Sequence, residues 1–299
     1  MAFVESALTF STTGAIAYPA LHKKIVELAM PMLVVKKLLP EFPLVAGKTA
    51  TFVKEAGSRS AAISESSEGA EIQMDFTPLT TVVVTPYKKG LRERISQENI
   101  EDLYIPVIEG QLRRIARRMA YTIDKDCMTV IDAASVTSNA CTGKSLSATG
   151  TEYTIASTVG SKDILAARSA IRGYNLEPDT VLLNPVNERD VLYLPQFTMY
   201  SEYGDPNTAL QTGLIGKVYG MNVFTSNVVP AGTAYVVSTG QNISSAYSPL
   251  GFFVIKRPLM TRVAFKDEFD CFDVTLTTRY SPVVTVGEAI AKITGLATS

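Results

Sequence analysis

The chain has almost no histidine and little cysteine. His22 is the single histidine among 299 residues. A serine–histidine–aspartate triad, a two-histidine metal site or a histidine acid–base pair would all have to be built around this residue. Cys127, Cys141 and Cys271 are too scattered for a disulfide framework, and no two of them form the close pair of a zinc site. The sequence therefore predicts free buried thiols, no metal site and no histidine-dependent catalysis.

The chain also lacks a long apolar run and an excess of either charge. Its longest apolar candidate, AMPMLVV, contains Pro31 and ends before Lys36 and Lys37, whereas a transmembrane helix needs about 20 apolar residues. Its first ten residues lack the cationic start and apolar core of a secretory signal, which predicts synthesis without export. With 46% hydrophobic and 19% charged residues and a net charge of −1, the chain is expected to be globular, with apolar surface left over for subunit contacts.

Two glycine-containing stretches fail the tests for nucleotide binding. TGKS, at Thr142–Ser145, offers the lysine and hydroxyl of a phosphate loop, but Ser138 stands where that loop requires a glycine. GLIGKVYG leads into a predicted strand, so no helix amino terminus is available to hold a pyrophosphate. We expect no nucleotide site and no cofactor.

Two β-prone runs flank a small, polar segment. KTATFVKE precedes AGSRSAAISESSEGA, and TTVVVTPYKKGLRERIS follows it, which predicts a long hairpin with an exposed connecting loop. A projecting hairpin cannot bury its own faces and needs a partner surface. Glu65, Glu68 and Glu71 make the loop acidic. Because nothing in a polar loop desolvates these carboxylates and raises their pKa, the pattern favours a solvated acidic tip over a glycosidase-type pair.

The stretch EGQLRRIARRMAYTIDKD, residues 109–126, lies in a predicted two-faced helix. Apolar residues recur at spacings of three and four over 108–130, which indicates about seven helical turns. Leu112, Ile115 and Met119 share the apolar side. The opposite side carries Arg113, Arg114, Arg117 and Arg118. A solvated outer face and a non-specific phosphate-binding face both fit this pattern, whereas a sequence-specific DNA reader would be a compact and basic helical domain.

The other segments predict a mixed α/β body. SKDILAARSAIRGYNLEP and NERDVLYLP predict helices, and DTVLLNP between them predicts a buried strand. GKVYGMNVFTSNVVPAGTAYVVS predicts two strands around a turn at Pro230 and Gly232, and GEAIAKITGL a short helix or strand. Residues 251–286 alternate over two strands that separate near 266–270, which predicts a long antiparallel pair. Residues 20–38 show helical spacing of apolar residues.

This order of elements resembles the major capsid proteins of tailed double-stranded DNA bacteriophages, with the Hong Kong 97-type fold. The resemblance is carried by VVVTPYKKGLRERISQENIED, by GLIGKVYGMNVFTSNVVPAGTAYVV and by RVAFKDEFDCFDVTLTTRYSPVVTVGEAIAKI. It implies an α+β fold in four parts. These are an amino-terminal arm at 1–46, an extended-loop hairpin at 47–90, a peripheral domain with the spine helix at 91–136 and 251–286, and an apical domain at 137–250 and 287–299.

The resemblance further implies a non-enzymatic structural protein. Its copies would form hexamers and pentamers of an icosahedral shell around a double-stranded DNA genome, assembled in the host cytoplasm and without a membrane. Scaffold, portal and decoration proteins are further partners that the resemblance allows, and Met1 stands close enough to the arm to favour a separate scaffold or none. Non-specific contact with packaged DNA is also implied.

Two surfaces take on roles within such a shell. The arginine face at 113–118 would meet either packaged DNA or a neighbour's acidic loop. The acidic loop at Glu65, Glu68 and Glu71 would lie against cationic residues of an adjacent subunit. Two other functions compete: an encapsulin-type compartment of the same fold that holds cargo enzymes, and an isolated enzyme with a carboxylate site.

Overall fold

The computed structural model describes residues 33–55, 79–98, 107–137, 161–174, 176–192, 216–240, 250–294 and 296. Over these residues the chain forms three α-helices and eleven strands. In chain order they are β1 (Glu41–Pro43), β2 (Ala50–Glu55), β3 (Leu79–Val84), β4 (Tyr87–Ser96), α1 (Val107–Thr137), α2 (Ser161–Arg172), β5 (Thr180–Leu183), α3 (Pro185–Leu192), β6 (Lys217–Val218), β7 (Met221–Thr225), β8 (Thr233–Val237), β9 (Gly251–Lys266), β10 (Cys271–Val284) and β11 (Ile290–Thr294).

A four-stranded sheet, which we call the peripheral sheet, has the strand order β1-β9-β10-β4. The predicted antiparallel pair is confirmed as β9 and β10, which turn around a short 3₁₀ helix at Asp267–Phe269. β10 pairs with all of β4, so the chain enters this sheet at Tyr87. β1, from the predicted arm, joins β9 in parallel.

The predicted two-faced helix is confirmed as α1, which covers 31 residues. Its apolar side packs on the peripheral sheet, where Ile115 and Met119 are buried against Val263, Val274 and Leu276. This packing buries the apolar face of the helix and leaves the opposite face exposed to solvent. The side chain of Leu112 lies outside the described residues.

A second sheet, which we call the apical sheet, has the order β11-β8-β5-β7-β6. β5 is buried along its whole length, as its apolar run predicted. The two strands expected around Pro230 are β7 and β8, but β5 lies between them, parallel to β7 and antiparallel to β8. The carboxy-terminal segment that fitted either a helix or a strand forms β11 on the edge beside β8.

The predicted hairpin is formed by β2 and β3, which pair from Ala50↔Val84 to Glu55↔Leu79. Pro86 stands between β3 and β4, so the single β-prone run expected over 80–96 is divided into a hairpin strand and a sheet strand. Since proline lacks a backbone N–H, it is a natural place for the change of sheet. Residues 56–78, which include the predicted connecting loop, lie outside the described residues.

The predicted helix at 20–38 can be compared only over its end. Residues 1–32 lie outside the description, and the chain forms a 3₁₀ helix at Val35–Leu38. Val35 and Leu38 are buried in the large core that the apical sheet shares with α1 and α2. None of the described helices combines the length and the apolarity that crossing a bilayer requires.

Candidate shell-contact and nucleic-acid surfaces

The arginine face of α1 is exposed. Ile115, Ala116, Met119 and Ala120 are buried, and the polar residues that alternate with them point to solvent. These exposed residues are Arg113, Arg114, Arg117 and Arg118. Arg114 makes an ion pair of 3.7 Å with Glu93 of β4, but its side chain remains 67% exposed, so this pair holds it weakly.

Tyr121 extends the arginine face and was missed in the sequence reasoning. It lies one turn after Arg117 and Arg118, is 51% exposed, and is followed one turn later by the exposed Lys125. A tyrosine hydroxyl among cations adds a hydrogen-bond donor for phosphate oxygens to the charges of the arginines. The spacing of four from Arg117 was the signal that could have identified it.

Three aspartates of α1 join the helix to three different parts of the chain. Asp124 binds the segment that precedes β1: it accepts hydrogen bonds from the backbone N–H groups of Val34, Val35 and Lys36 at 2.8, 3.3 and 3.1 Å. Burial raises the pKa of this carboxyl, and the three amides only partly oppose that shift. A buried carboxylate thereby supplies the acceptor that the first turn of the 3₁₀ helix needs.

Asp126 joins α1 to the peripheral sheet. Its Oδ2 accepts a hydrogen bond from Tyr280 Oη of β10 at 2.5 Å. The same oxygen accepts a hydrogen bond from the Lys89 ammonium of β4, also at 2.5 Å, and forms an ion pair with it. The Lys89 ammonium also lies 5.8 Å from the centre of the Tyr280 ring. Charge-assisted hydrogen bonds of this kind are about twice as strong as neutral ones, so one carboxylate fixes the register of two strands against the helix.

Asp132 joins α1 to the apical sheet. Its Oδ1 accepts hydrogen bonds from Tyr235 Oη of β8 at 2.7 Å and from Lys292 Nζ of β11 at 2.5 Å. Burial alone would raise the pKa of Asp132, but the bonds from Lys292 and Tyr235 outweigh it and lower the pKa below its usual value. Sequence reasoning could not see these roles, because each partner is far away along the chain.

The lowered pKa of Asp132 predicts an acid-sensitive connection. The stabilisation is complete above the unfolded carboxyl pKa of about 3.9 and is lost as the pH falls through the lower folded value. We expect Asp132→Asn to lower the Tm at neutral pH. The difference in Tm between this variant and the wild type should become smaller as the pH falls below about 4. Calorimetry of both proteins across pH measures this. A gap that stays constant with pH would contradict it.

Glu65, Glu68 and Glu71, in the predicted acidic loop, lie outside the described residues. His22 and Cys141, elsewhere in the chain, also lie outside them. Cys127 and Cys271 are buried and free of disulfides, as expected, and burial raises the pKa of the Cys127 thiol. Over the described part of the chain, no cluster of histidine, cysteine, aspartate and glutamate is suited to hold a metal ion.

Comparison with solved structures identifies the fold. The chain resembles a protein of the capsid of the cyanophage P-SCSP1u, with a TM-score of 0.65, 13% identity and coverage of 89% of each chain. It also resembles a protein of Mycobacterium phage Che8, with a TM-score of 0.61, 12% identity and coverage of 87% of this chain and 90% of the other. A phage-related protein from Bordetella bronchiseptica RB50 matches with a TM-score of 0.61 and 14% identity, over 93% of this chain and 96% of the other.

Comparison with protein families assigns the role. No curated protein sequence matches the chain, but the family described as "Phage capsid protein" matches residues 79–293. This match runs from β3 to β11 and so includes α1 and most of both sheets. The mixed α+β fold and the family agree with the expected structural, non-enzymatic role in a virion. The chain belongs to the phage capsid protein family.

Proposed function

We propose that this protein is the repeating subunit of an icosahedral shell, in which hexamers and pentamers of one chain enclose double-stranded DNA. The family match over residues 79–293 carries the proposal. The hairpin of β2 and β3 supports it, because Val53 and Val83 on its outward side are each 61% exposed. Such an apolar face on a two-stranded projection is expected to be covered by a neighbouring subunit.

The four-part division into arm, extended-loop hairpin, peripheral domain and apical domain belongs to this proposal. The peripheral sheet with α1 and the apical sheet with α2 form two layers. A shell subunit can use each layer to contact neighbouring subunits at a different edge. Asp132 and its partners Tyr235 and Lys292 tie these layers together. Subunits of one kind that meet through repeated, heterologous contacts close into rings and shells when the rotation allows it.

Electron microscopy of the purified full-length chain tests the shell. We expect closed particles or rings of five and six subunits, and the nucleic-acid content of the particles separates a genome shell from an encapsulin-type compartment. A protein that stays monomeric at all concentrations and salt conditions, including those with added DNA, would contradict the proposal.

We further propose that the arginine face of α1 contacts the packaged DNA through phosphates. Replacing Arg113, Arg114, Arg117 and Arg118 together by glutamine is expected to leave shell assembly intact and to reduce the salt needed to release DNA, because four counterion-releasing contacts are lost. The DNA content of purified shells, followed through a salt titration, measures this.

The same four arginines changed to lysine form the matched control. Lysine retains the charge that phosphate contact requires, so the lysine variant should keep DNA nearly as wild type does. Failure of the glutamine variant to assemble even without DNA would show that the arginines bind a neighbouring subunit instead.

A further inference from the structure

Two short connections join the hairpin of β2 and β3 to the rest of the subunit. One covers residues 44–49, between β1 and β2, and the other covers residues 85–86, between β3 and β4. Beside these connections, Ala50 and Val84 pack with Val254 of β9 and Val283 of β10 in a small cluster, which we call the hairpin root. The direction of the hairpin is therefore decided at the root and in the two connections.

Lys256 of β9 binds the first connection. Its Nζ donates hydrogen bonds to the carbonyl oxygens of Gly47 at 2.9 Å and Val45 at 3.4 Å. The chain turns at Gly47, which has φ +81°, a left-handed conformation that favours glycine. The backbone N–H of Leu44 also donates to the carbonyl oxygen of Ile255 at 2.8 Å. One ammonium thereby holds two carbonyls of an exposed turn.

Arg279 of β10 binds the second connection. Its Nε donates a hydrogen bond to the carbonyl oxygen of Pro86 at 2.9 Å. Arg279 stands at an irregularity of the sheet, because the register between β9 and β10 shifts on both sides of it. Irregularities of this kind re-aim side chains and are common beside functional sites. Each connection of the hairpin is therefore bound by a cation from a different strand of the peripheral sheet.

Ion pairing does not explain these two cations. Among the residues that the structure describes, Lys256 and Arg279 form no ion pair, and the polar partners of both are backbone carbonyls. Arg279 is paired across the sheet with Lys88 of β4 and Arg257 of β9. Like charges directly opposite each other destabilise a sheet, so stability alone does not account for an arginine here. Its bond to the carbonyl of Pro86 supplies a role.

The carbonyl bonds add direction to the apolar contacts of the hairpin root. Apolar burial is non-directional and tolerates small rotations, whereas a hydrogen bond weakens steeply once its angle falls below about 120°. The subunit does not cover the outward side of the hairpin, since Val53 and Val83 are each 61% exposed. The hydrogen bonds of Lys256 and Arg279 are thus the directional contacts between side chains of the sheet and the two connections.

A small rotation at the root is amplified along the hairpin. β2 and β3 have six residues each, which gives them a length of about 20 Å. A rotation of about 10° at the root would displace the far end of these strands by roughly 3.5 Å. Subunits that meet through heterologous contacts form closed rings only when the rotation between them closes, and otherwise form open filaments.

We infer that Lys256 and Arg279 are positioning residues that fix the angle at which the hairpin leaves the subunit. This role belongs to the single chain, whereas its consequence for shell closure rests on the proposed function. In a shell, the two cations would set the curvature, because every hairpin would leave its subunit at the same angle.

The distance between two spin labels in the unassembled subunit tests the angle. Thr81→Cys on the hairpin and Lys125→Cys on α1 place the labels at exposed positions. Cys141→Ser removes a further thiol, and Cys127 and Cys271 are buried away from the reagent. We expect the chain with both carbonyl-binding cations to give one narrow distribution of distances by double electron–electron resonance.

Lys256→Met with Arg279→Met removes both charged donors. We expect this double variant to shift or broaden the distribution by about 2 Å, the displacement that a rotation of roughly 10° produces some three residues, or about 10 Å, from the root. Lys256→Arg with Arg279→Lys retains a charged donor at each position and should restore the narrow distribution. Arg262→Met with Lys266→Met, two exposed cations of β9, removes the same charge and should also leave it narrow.

The outcomes separate the positioning role from the shell. An unchanged distribution in the Lys256/Arg279 methionine variant would overturn the role, and so would an equal change in the Arg262/Lys266 variant. If the double variant does not fold, the two single methionine variants replace it, and an unchanged distribution in both has the same meaning.

Electron microscopy tests the consequence for assembly. The Lys256/Arg279 methionine variant should form open or irregular assemblies under conditions in which wild type forms closed shells. Closed shells of wild-type diameter from this variant, together with a changed label distance, would overturn the role in curvature alone. If wild type forms no shells, the proposed function fails, and the label distances still decide whether the two cations fix the hairpin.

Discussion

Gly251→Ala is expected to destabilise the chain by about 3 kcal/mol or more and to lower its Tm by roughly 6–12 °C. Gly251 is the first residue of β9 and pairs with Val284 of β10. A Cβ atom at this position would lie 2.0 Å from the carbonyl oxygen of Val283 and 2.8 Å from the Cα of Val284. These are backbone atoms, so no rotamer change relieves the overlap and the two strands must separate.

The separation has a functional consequence. Val254 and Val283, which support the hairpin root, lie next to this point, so we expect the variant to lose shell assembly as well as stability. Gly216→Ala is the control. Gly216 has φ +63°, but a Cβ atom added there would meet no heavy atom within 4 Å, so alanine costs only about 1–2 kcal/mol for the backbone conformation. Equal thermal unfolding of the two variants would contradict the crowding argument.

Asp124→Ala is expected to release the 3₁₀ helix at Val35–Leu38 from α1. It removes the acceptor of three backbone N–H groups, of which the closest approach is 2.8 Å. Each buried donor left without a partner costs about 1–3 kcal/mol. The loss should appear as a lowered Tm and as faster tryptic cleavage at Lys36 and Lys37, since the 3₁₀ helix there loses its anchor.

Asp126→Ala is the matched control for Asp124→Ala. It removes a carboxylate from the same helix, two residues away, but its partners are Lys89 and Tyr280 of the peripheral sheet. We expect that variant to lose stability while the cleavage at Lys36 and Lys37 keeps its wild-type rate. If Asp124→Ala left this cleavage unchanged, then the burial of Val35 and Leu38 alone holds the 3₁₀ helix.

The sequence was sufficient for the long, regular elements. α1, β9 and β10 repeat their apolar pattern many times, so the periodicity alone identifies them. Pro86 and β5 mark where it was less informative: a single run of β-prone residues becomes two strands in different sheets, and β5 inserts between strands that neighbour each other in sequence. Strand order depends on contacts between distant segments, which local patterns do not contain.

Of the candidate surfaces, one could be predicted from local sequence spacing and another could not. Exposure of the arginine face followed from helical spacing, because Ile115 and Met119 required burial and the arginines alternate with them. The juxtaposition of Arg92 and Arg262 across the peripheral sheet did not follow, since these residues come together only through the pairing of β4 and β9 with β10. Asp124 has no local signal beyond an acid placed among apolar residues of α1.

The three aspartates of α1 couple the helix to three separate parts of the subunit. At 100° per residue, Asp124, Asp126 and Asp132 project in three different directions, towards the 3₁₀ helix before β1, the peripheral sheet and the apical sheet. A turn of the helix by about 20° about its axis would displace carboxylate oxygens 5–6 Å from that axis by roughly 2 Å, which exceeds what a hydrogen bond tolerates. Rotation of α1 about its axis would therefore move or break the hydrogen bonds of all three carboxylates together. A displacement at one edge of the subunit would be transmitted through α1 to the others.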